Sequence, residues 1–324
     1  MGKLALLFSG QGSQYIGMGK NICTQYKVAK DTFEEAGEIL GFDLLKQCIE
    51  GDESWINQTK NIQPAVLALE MAMFRVYMQE FGIVPACCIG HSLGEISALT
   101  CSGAIKFEDA IKLVAKRGEF MQNEADSSSG KMLVVMNADL KTIERECEEI
   151  SNEEHMICIS NYNSPKQIVL SGHEDGLNIF YEKLKGTNGI KMRELNVKAP
   201  FHCALMHPAA EKFRKELEKY EFNDLNYPVI SNVDARPYEN KNCIKDNLAK
   251  QIVSPVRWID TIGFLEKIGV DTALEIGPKS ILRNLLMRYE NEIKSYSYDL
   301  DEDRKKFKNW ADNLKAEDFK NTVV

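Results

Sequence analysis

The sequence predicts an α/β fold in which a large unit is interrupted by a smaller one. Short apolar runs that end in Gly-rich turns alternate with longer amphipathic stretches, as strands and helices do in α/β proteins. Over residues 128–197 the pattern becomes strand, helix, strand, strand, helix, strand, the βαββαβ order of a ferredoxin-like unit. We therefore expect residues 1–127 and 198–300 to form an α/β core, 128–197 an inserted subdomain, and 301–324 a charged C-terminal helix or tail.

Two apolar runs in the first part of the core have the length of buried strands. The run KLALLF (3–8) precedes the Gly-rich turn SGQGSQ, and ACCIG (86–90) precedes a second tight turn. Pro64 suits the first position of a long helix. The amphipathic stretches predict helices over 17–27, 31–40, 64–81, 93–103 and 107–125.

The insert and the second part of the core follow the same rules. In the insert we expect strands over 131–136, 156–162, 166–172 and 190–197, and helices over 139–150 and 174–186. After the insert we expect helices over 203–220, 243–252, 258–268 and 279–291, with strands over 228–232, 272–277 and 294–298. The tail is rich in Lys, Asp and Glu, so a helix over 301–315 is predicted to be a solvated surface element.

Composition excludes several classes of function. Of 324 residues, 44% are hydrophobic and 27% charged, which suits a globular protein with a sizeable core. The net charge of −8 argues against general binding of nucleic acid, which needs a basic face. The apolar run near the start is too short for a signal peptide or a membrane span. Nine cysteines without C-x-x-C spacing predict reduced thiols in a cytoplasmic protein, and no metal-ligand spacing is present.

The segment GHSLG (90–94) raises the question of catalysis. A G-x-S-x-G sequence between a strand and a helix is the context of a nucleophile elbow, in which the Ser side chain is exposed on a strained turn. Ser92 then lies at the amino end of a helix, where developing negative charge is favoured. The alternative is that Ser92 only caps the helix, since Ser is common at that position. The motif alone leaves both interpretations open.

A nucleophilic serine needs a base and an oxyanion hole. Among the five His residues, His202 lies at the exit from the insert, where a boundary between units predicts a cleft. The amide of Leu93, directly after the candidate nucleophile, is one expected oxyanion donor. The second donor is expected from the Gly-rich turn Ser9–Gln14.

Blocks in a fixed order also match a known family. They are FSGQGSQ (8–14), NIQPA (61–65), GHSLGE (90–95), KRGEFM (116–121), NYNSPKQIVLSG (161–172), APFHCALMHPA (199–209), PVISNV (228–233), QIVSPVRW (251–258) and LEIGPKSIL (274–282). Through nearly all of residues 3–292 the chain resembles the malonyl-CoA:acyl carrier protein transacylases, which include free-standing acyltransferases of polyketide synthases. The resemblance implies a hydrolase-like α/β large subdomain with a ferredoxin-like insert.

The resemblance also implies roles for individual residues. Ser92 corresponds to the acyl-accepting nucleophile and His202 to its base. The main-chain amide of Gln11 corresponds to the oxyanion donor that partners Leu93. The main-chain carbonyl of Gln251 corresponds to the group that orients the His.

The substrate-binding residues follow in the same way. Arg117 corresponds to the residue that binds the free carboxylate of malonyl, for which a planar guanidinium is well suited. Met121 and Asn163 are expected to line the pocket. Phe201 agrees with a preference for malonyl over methylmalonyl, although Ala199 and Pro200 differ from the His-Ala that often precedes Phe in malonyl-type polyketide synthase domains.

The implied reaction uses malonyl-CoA and a phosphopantetheinylated acyl carrier protein, with no tightly bound cofactor, and the acceptor could serve fatty-acid or polyketide synthesis. A serine acyl hydrolase acting on acyl carrier proteins is the second hypothesis, and Arg117 argues against it because a neutral acyl chain has no use for a buried cation. A non-catalytic docking subunit is the third. Since carrier proteins are typically acidic, we expect a local basic patch, with Lys185, Lys191, Arg193 and Lys198 as candidates.

Overall fold

The computed structural model describes residues 2–322 except Asn196, Lys198 and Glu290, with residues 317–322 described by their backbone alone. The strands in chain order are β1 (Leu4–Phe8), β2 (Cys87–Gly90), β3 (Gly130–Met136), β4 (Ile157–Ser164), β5 (Gln167–His173), β6 (Lys191–Glu194), β7 (Val229–Ile230), β8 (Thr272–Ile276) and β9 (Lys294–Ser297). They form two separate sheets, one for each predicted unit.

Helices surround both sheets. In chain order they are α1 (Lys20–Gln25), α2 (Lys27–Leu40), α3 (Leu44–Glu50), α4 (Glu53–Ile56), α5 (Thr59–Glu80), α6 (Leu93–Cys101), α7 (Phe107–Ser127), α8 (Leu140–Ile150), α9 (Glu174–Leu184), α10 (His207–Leu217), α11 (Ile244–Gln251), α12 (Trp258–Lys267), α13 (Ile281–Leu286) and α14 (Asp301–Thr322). Across the described part of the chain, none of these helices has the combination of length and apolarity needed to cross a bilayer.

The large sheet is parallel and is buried on both faces. Its strand order is β7-β2-β1-β8-β9, and every pair in it is parallel. Leu6 and Phe8 of β1 pack into the core on one face, and Ala5 and Leu7 pack into a second cluster on the other. Burial on both faces explains why β1 and β2 are continuous apolar runs, whereas the edge strand β9 is polar and only partly buried. Because β1 and β2 are parallel neighbours, the loops that follow them lie side by side at the carboxyl edge of the sheet, where ligands bind in open α/β folds.

The insert has the predicted ferredoxin-like topology. Its antiparallel sheet has the order β4-β5-β3-β6, and its chain order with α8 and α9 is βαββαβ. Leu133 and Val135 of β3 pack in the insert's own core, whereas Met132 and Val134 pack on the core of the large unit. Because successive side chains of β3 point to opposite faces, the strand packs on both cores and joins the two units. The predicted fold class is confirmed.

Two joints hold the insert on the core. The chain enters it at Gly130 and leaves it at Pro200, and a Cβ added to Gly130 would lie 2.5 Å from Pro200 Cγ. At the second joint, β4 pairs with Val256 of the core: the Tyr162 amide donates to the Val256 carbonyl (3.0 Å), and the Val256 amide donates to the Ser160 carbonyl (2.9 Å). These joints place the residues after Pro200 at the boundary between the units.

Some helix boundaries differ from the sequence predictions. Helices α3 and α4 were not predicted. Each begins at an Asp whose side chain accepts a backbone amide of the first turn, Asp43 from Lys46 and Asp52 from Trp55. Pro64 lies inside α5 rather than at its start, because the helix begins five residues earlier at Thr59. At that position Pro removes a single intrahelical hydrogen bond close to the helix terminus. The predicted helix 203–220 begins at His207, after a 3₁₀ turn over Ala204–Met206.

The C-terminal helix α14 is only partly the solvated element that its composition suggests. Phe307 and Ala311 are fully buried. The Phe307 ring packs edge-on against Phe81, the residue directly after α5 (centroids 5.1 Å apart), and lies 6.2 Å from Tyr77 of α5. The spacing of four residues puts Phe307 and Ala311 on one face of the helix. Asp303, four residues before Phe307, is buried on the same side, where its carboxylate accepts the Ser297 amide.

We expect Phe307→Ala to lower the free energy of unfolding by about 3–5 kcal/mol, because it leaves a cavity between α14 and α5. The matched control is Lys308→Ala at the next, exposed position, which should change it by less than about 0.5 kcal/mol. Urea denaturation followed by circular dichroism measures both. Equal effects of the two substitutions would show that α14 does not belong to the core.

Candidate active site

The nucleophile elbow is built from glycines that permit close backbone contacts. Ser92 lies between β2 and α6 with φ +55°, a strained conformation for a residue with a side chain. A Cβ on Gly90 would lie 2.0 Å from the Gly94 carbonyl, and a Cβ on Gly94 would lie 2.0 Å from the Phe8 carbonyl. Ser92 occupies the N-cap position of α6, yet its hydroxyl makes no capping hydrogen bond. The side chain is therefore available for contacts outside the helix.

Ser92 is hydrogen-bonded to His202, a residue 110 positions later in the chain. The distance from Ser92 Oγ to His202 Nε2 is 2.8 Å, and His202 Nδ1 lies 2.8 Å from the Gln251 carbonyl oxygen. Since a carbonyl only accepts, Nδ1 carries the proton and Nε2 is left to accept the Ser92 hydroxyl proton. His202 also has a positive φ of 58°, so the base is held in a strained backbone like the nucleophile.

The surroundings keep His202 neutral. Burial, and to a smaller extent the positive charge of Arg117, lower its pKa to about 3, against the opposing effect of the Gln251 carbonyl. A neutral imidazole at pH 7 is the form that can accept a proton.

Arg117 of α7 is buried beside the nucleophile. Its Nη2 donates to Ser92 Oγ (3.2 Å) and Gln251 Oε1 (2.9 Å), and its Nη1 donates to Gln63 Oε1 (2.9 Å). None of these partners is a carboxylate, and within the described ranges the buried Nε has no partner at all. Burial lowers the pKa of Arg117 to about 10, so the guanidinium remains charged at pH 7. The Arg117 cation thus lies next to the serine hydroxyl without a carboxylate among its hydrogen-bond partners in the described residues, and the charge of Glu95 offsets part of the effect of burial.

The side chains of Asn232, Gln251 and Glu95, called here the polar brace, form hydrogen bonds that hold the backbone around Ser92. Asn232 Oδ1 accepts the Ser92 amide (2.7 Å), while its Nδ2 donates to the Gly90 carbonyl (2.6 Å). Gln251 Nε2 donates to the Ser92 carbonyl (2.9 Å) and to Glu95 Oε2 (2.5 Å). Burial raises the pKa of Glu95 to about 7. Gln251 therefore serves the site through its side chain as well as its main-chain carbonyl.

Sequence reasoning missed the roles of Gln63, Glu95 and Asn232 in this arrangement. All three lie inside the blocks NIQPA, GHSLGE and PVISNV, which carried the resemblance. Their presence in those blocks was the available signal.

The expected oxyanion donors lie on the two adjacent loops. The His91 amide donates to the Phe8 carbonyl (3.0 Å), and a Cβ on Gly10 would lie 2.4 Å from the His91 carbonyl. The side chain of Gln11 is anchored by its hydrogen bond to Thr59 Oγ1 (3.1 Å). In the part of the chain that the structure describes, the amides of Gln11 and Leu93 have no acceptor. Both are thus free to bind a negatively charged oxygen.

The three remaining predicted residues lie around this cluster. Phe201 directly precedes the base and is buried. Met121 follows Arg117 by one turn of α7, with its sulfur 3.5 Å from Gln63 Nε2. Asn163 Oδ1 lies 2.9 Å from His91 Nε2, next to the nucleophile.

Comparison with known proteins assigns the family. The family model "Acyl transferase domain" matches residues 5–303. The chain belongs to the acyl transferase family. A malonyl CoA-acyl carrier protein transacylase of Bacillus subtilis is 40% identical over 91% of this chain and 74% of its own length. The crystal structure of a malonyl CoA-acyl carrier protein transacylase from Clostridium perfringens superimposes with a TM-score of 0.91 at 36% identity, covering 97% of this chain and 98% of that one.

A second solved structure contains a partner. It is described as a type II polyketide synthase acyl carrier protein in complex with its malonyl-transacylase, and that chain has a TM-score of 0.88 and 38% identity to this acyl transferase. The alignment covers 91% of this chain and 95% of the other. The likeness therefore extends over both the large unit and the insert.

The depressed pKa of His202 predicts an unusual pH profile. A His with a pKa of about 3 stays a proton acceptor in mild acid, so the reaction rate of Ser92 should fall by less than about twofold between about pH 8 and pH 5. A His that titrates at the ordinary value of 6.5 would lose most of its neutral form over this range. The measurement is the rate of Ser92 labelling by an uncharged fluorophosphonate, followed by intact-protein mass spectrometry.

Arg117→Gln should shift the acid limb of this pH profile to higher pH, because it removes a charge that lowers the pKa of His202. Arg75→Gln is the control: Arg75 is an arginine of α5 that pairs with Glu35, and its loss should leave the profile unchanged. An acid limb near pH 6.5 in the unaltered protein would contradict the prediction.

Proposed function

We propose that this acyl transferase moves a malonyl group from malonyl-CoA to the phosphopantetheine thiol of an acyl carrier protein, with Ser92 as the covalent nucleophile. The observation that carries the proposal is the buried Arg117 guanidinium one hydrogen bond from Ser92 Oγ. Malonyl-CoA has a carboxylate at one end of the acyl group and a thioester at the other. A site with a fixed cation beside a nucleophile matches both ends of that group.

The first half-reaction acylates the enzyme. Ser92 Oγ attacks the thioester carbonyl while His202 Nε2 takes the hydroxyl proton, and the amides of Gln11 and Leu93 donate to the tetrahedral oxyanion. The carbon–sulfur bond then breaks, and His202 returns the proton to the departing coenzyme A thiol. The Gln251 carbonyl holds Nδ1–H, and so stabilises the imidazolium that forms in between.

The second half-reaction transfers the group. The carrier protein's phosphopantetheine thiol gives its proton to His202 and attacks the malonyl ester on Ser92. The same two amides bind the second oxyanion, and Ser92 recovers its proton as the ester bond breaks. No water and no net proton enter the cycle, so exclusion of water separates transfer from hydrolysis.

The malonyl carboxylate binds Arg117. Its two oxygens pair with Nε, which lacks a partner among the described residues, and with Nη2, which releases Ser92 Oγ. Phe201 and Met121 wall the space around the acyl chain. The ring of Phe201 occupies the room that a methyl on the malonyl α-carbon would need, which favours malonyl over methylmalonyl by about 10–200-fold.

Hydrolysis of neutral acyl chains is the alternative function, and the positive charge of Arg117 argues against it. A neutral acyl group would leave the Arg117 cation buried and unpaired, at a cost of several kcal/mol. The relatives named above are transacylases, in agreement with transfer.

The carrier protein is the proposed macromolecular partner, as in the solved transacylase complex. Of the basic residues expected near the insert's last strand, Lys191 and Arg193 are exposed on β6, and Lys185 is exposed beside Glu182. Lys198 lies outside the described residues. A cytoplasmic location and the absence of a tightly bound cofactor stay predictions.

Intact-protein mass spectrometry after mixing with malonyl-CoA tests the proposal. We expect a malonyl adduct on Ser92 that disappears when a phosphopantetheinylated carrier protein is added, with malonyl appearing on the carrier. Ser92→Ala should form no adduct. An adduct that persists in Ser92→Ala, or release of free malonate instead of transfer, would overturn the assignment. Separate fatty-acid and polyketide carrier proteins identify the acceptor.

Arg117→Ala should change the choice of acyl group. Malonyl transfer should fall by about 30-fold or more, as expected when one member of a buried, hydrogen-bonded charge pair is removed. Transfer of the uncharged acetyl group should rise, because the unpaired cation is gone. The control is Lys116→Ala, the exposed neighbour that pairs with Glu119. Equal losses for the two acyl groups would make Arg117 a structural residue.

A further inference from the structure

A buried carboxyl that the proposed mechanism does not use lies directly beneath the active site. Glu70 is in the middle of α5 and its side chain is completely buried. Its Oε1 accepts a hydrogen bond from the hydroxyl of Ser9, at 2.9 Å. A carboxyl in such a position is costly unless it is neutral or its hydrogen-bonding groups are satisfied.

The second oxygen of Glu70 is not used by Ser9. Burial, and to a smaller extent the charge of the buried Glu275, raise the pKa of the Glu70 carboxyl well above its ordinary value, against the opposing effect of the Ser97 and Ser9 hydroxyls. Glu70 Oε2 and Ser97 Oγ are both buried, and among the described residues neither has a well-formed hydrogen bond. A neutral carboxylic acid has one O–H to donate, which suits Oε2 and the Ser97 hydroxyl.

The two serines belong to the segments that supply the oxyanion donors. Ser9 precedes Gln11 by two residues on the loop after β1, and Ser97 follows Leu93 by one turn of α6. The absence of a side chain at Gly277 also leaves space for the hydrogen-bonded side chains of Ser9 and Glu70. A Cβ on Gly277 would lie 2.2 Å from Ser9 Oγ and 2.8 Å from Glu70 Oε1. Any residue larger than Gly at position 277 would therefore displace the Ser9 side chain or the carboxyl.

We propose that Glu70 is a positioning residue that ties the Ser9 loop to α6 and thereby fixes the spacing of the Gln11 and Leu93 amides. In this proposal the observed bond to Ser9 holds one side of the oxyanion hole, and an O–H that the neutral carboxyl donates towards the unpartnered Ser97 hydroxyl holds the other. The role deepens the proposed acyl transfer and rests on it, since it acts on the oxyanion formed at Ser92. It requires the neutral, hydrogen-bonding form of the side chain rather than its charge.

The test compares two substitutions of similar size. Glu70→Gln keeps an acceptor for Ser9 and a donor for Ser97, so it should retain most of the kcat. Glu70→Met fills the same space without hydrogen bonds, and should lower kcat about tenfold or more with an unchanged KM for malonyl-CoA. Loss of a whole oxyanion donor costs about 100- to 1,000-fold, so a misplaced donor is expected to cost less. Single-turnover acylation of Ser92 over a range of malonyl-CoA concentrations measures both quantities.

A milder pair of variants keeps the test independent of folding. Ser97→Ala should lower kcat by about fivefold, because it removes the hydroxyl that the proposal assigns as partner of the neutral Glu70 carboxyl. Thr100→Val on the same helix is its control, because the Thr100 hydroxyl bonds only within α6, to the Ile96 carbonyl (2.7 Å). Thermal unfolding of all four variants separates an effect on stability from an effect on kcat.

The outcomes distinguish this inference from the proposed function. If the unaltered protein forms no malonyl adduct on Ser92, the proposed function fails. If it does, and Glu70→Met and Ser97→Ala keep the full kcat whatever their melting temperatures, the positioning role is refuted. A kcat loss in Glu70→Gln as large as in Glu70→Met would also refute it. The role is supported when kcat falls in Glu70→Met and Ser97→Ala, is retained in Glu70→Gln, and KM stays constant.

Discussion

The site depends on the close contact between two stretches of backbone at the carboxyl edge of the parallel sheet. The loop after β1 and the elbow after β2 approach so closely that side chains are excluded at Gly10 and Gly94, where an added Cβ would lie 2.4 Å from the His91 carbonyl oxygen and 2.0 Å from the Phe8 carbonyl oxygen. Because β1 and β2 are neighbouring strands, this contact brings together two amides from distant parts of the sequence. It also fixes Ser92 in a strained conformation that turns its hydroxyl away from its own helix.

Electrostatics accounts for the selectivity of the proposed function. The Arg117 cation has amide and hydroxyl partners, and the Glu95 carboxyl of the polar brace is reached through the Gln251 side chain. A buried charge in such surroundings is poorly solvated, so a ligand with a carboxylate restores a partner that the protein itself does not supply. The same cation contributes to keeping His202 neutral, so under the proposed function the binding of a carboxylate to Arg117 and the protonation of His202 are linked.

The fold was predictable because its periodicities are strong. The βαββαβ order of the insert and the continuous apolar runs of the core strands follow from local sequence. Helices α3 and α4 were missed because each is short and is marked mainly by one capping Asp. The buried face of α14 was missed because two apolar residues in a highly charged segment do not reveal which surface they meet.

The site was predictable to a similar extent. Motif spacing pointed to Ser92, and the exit from the insert pointed to His202. The family resemblance then supplied the remaining positions. The directions of the Gln63, Asn232 and Glu95 side chains could not be inferred, because a polar residue in an apolar segment shows its partner only when distant segments meet. Glu70 belongs to the same class: sequence pattern gives its helix, and only the packing of three elements shows what its carboxyl touches.

The two joints of the insert have a consequence for how this enzyme can diversify. Ser92 and Arg117 belong to the large unit, whereas Asn163 is supplied by β4 of the insert and His202 follows the chain's exit at Pro200. Under the proposed function, the nucleophile and the residue that binds the carboxylate can therefore be kept while the insert's side of the site is exchanged as a module. Such an exchange preserves the chemistry only if the seam at Gly130 and Pro200 and the pairing of β4 with Val256 are inherited with it, since these set the position of the base. Recombination that changes the accepted acyl group should therefore succeed when both joints come from the same parent protein. It should fail when a breakpoint separates the two sides of a joint.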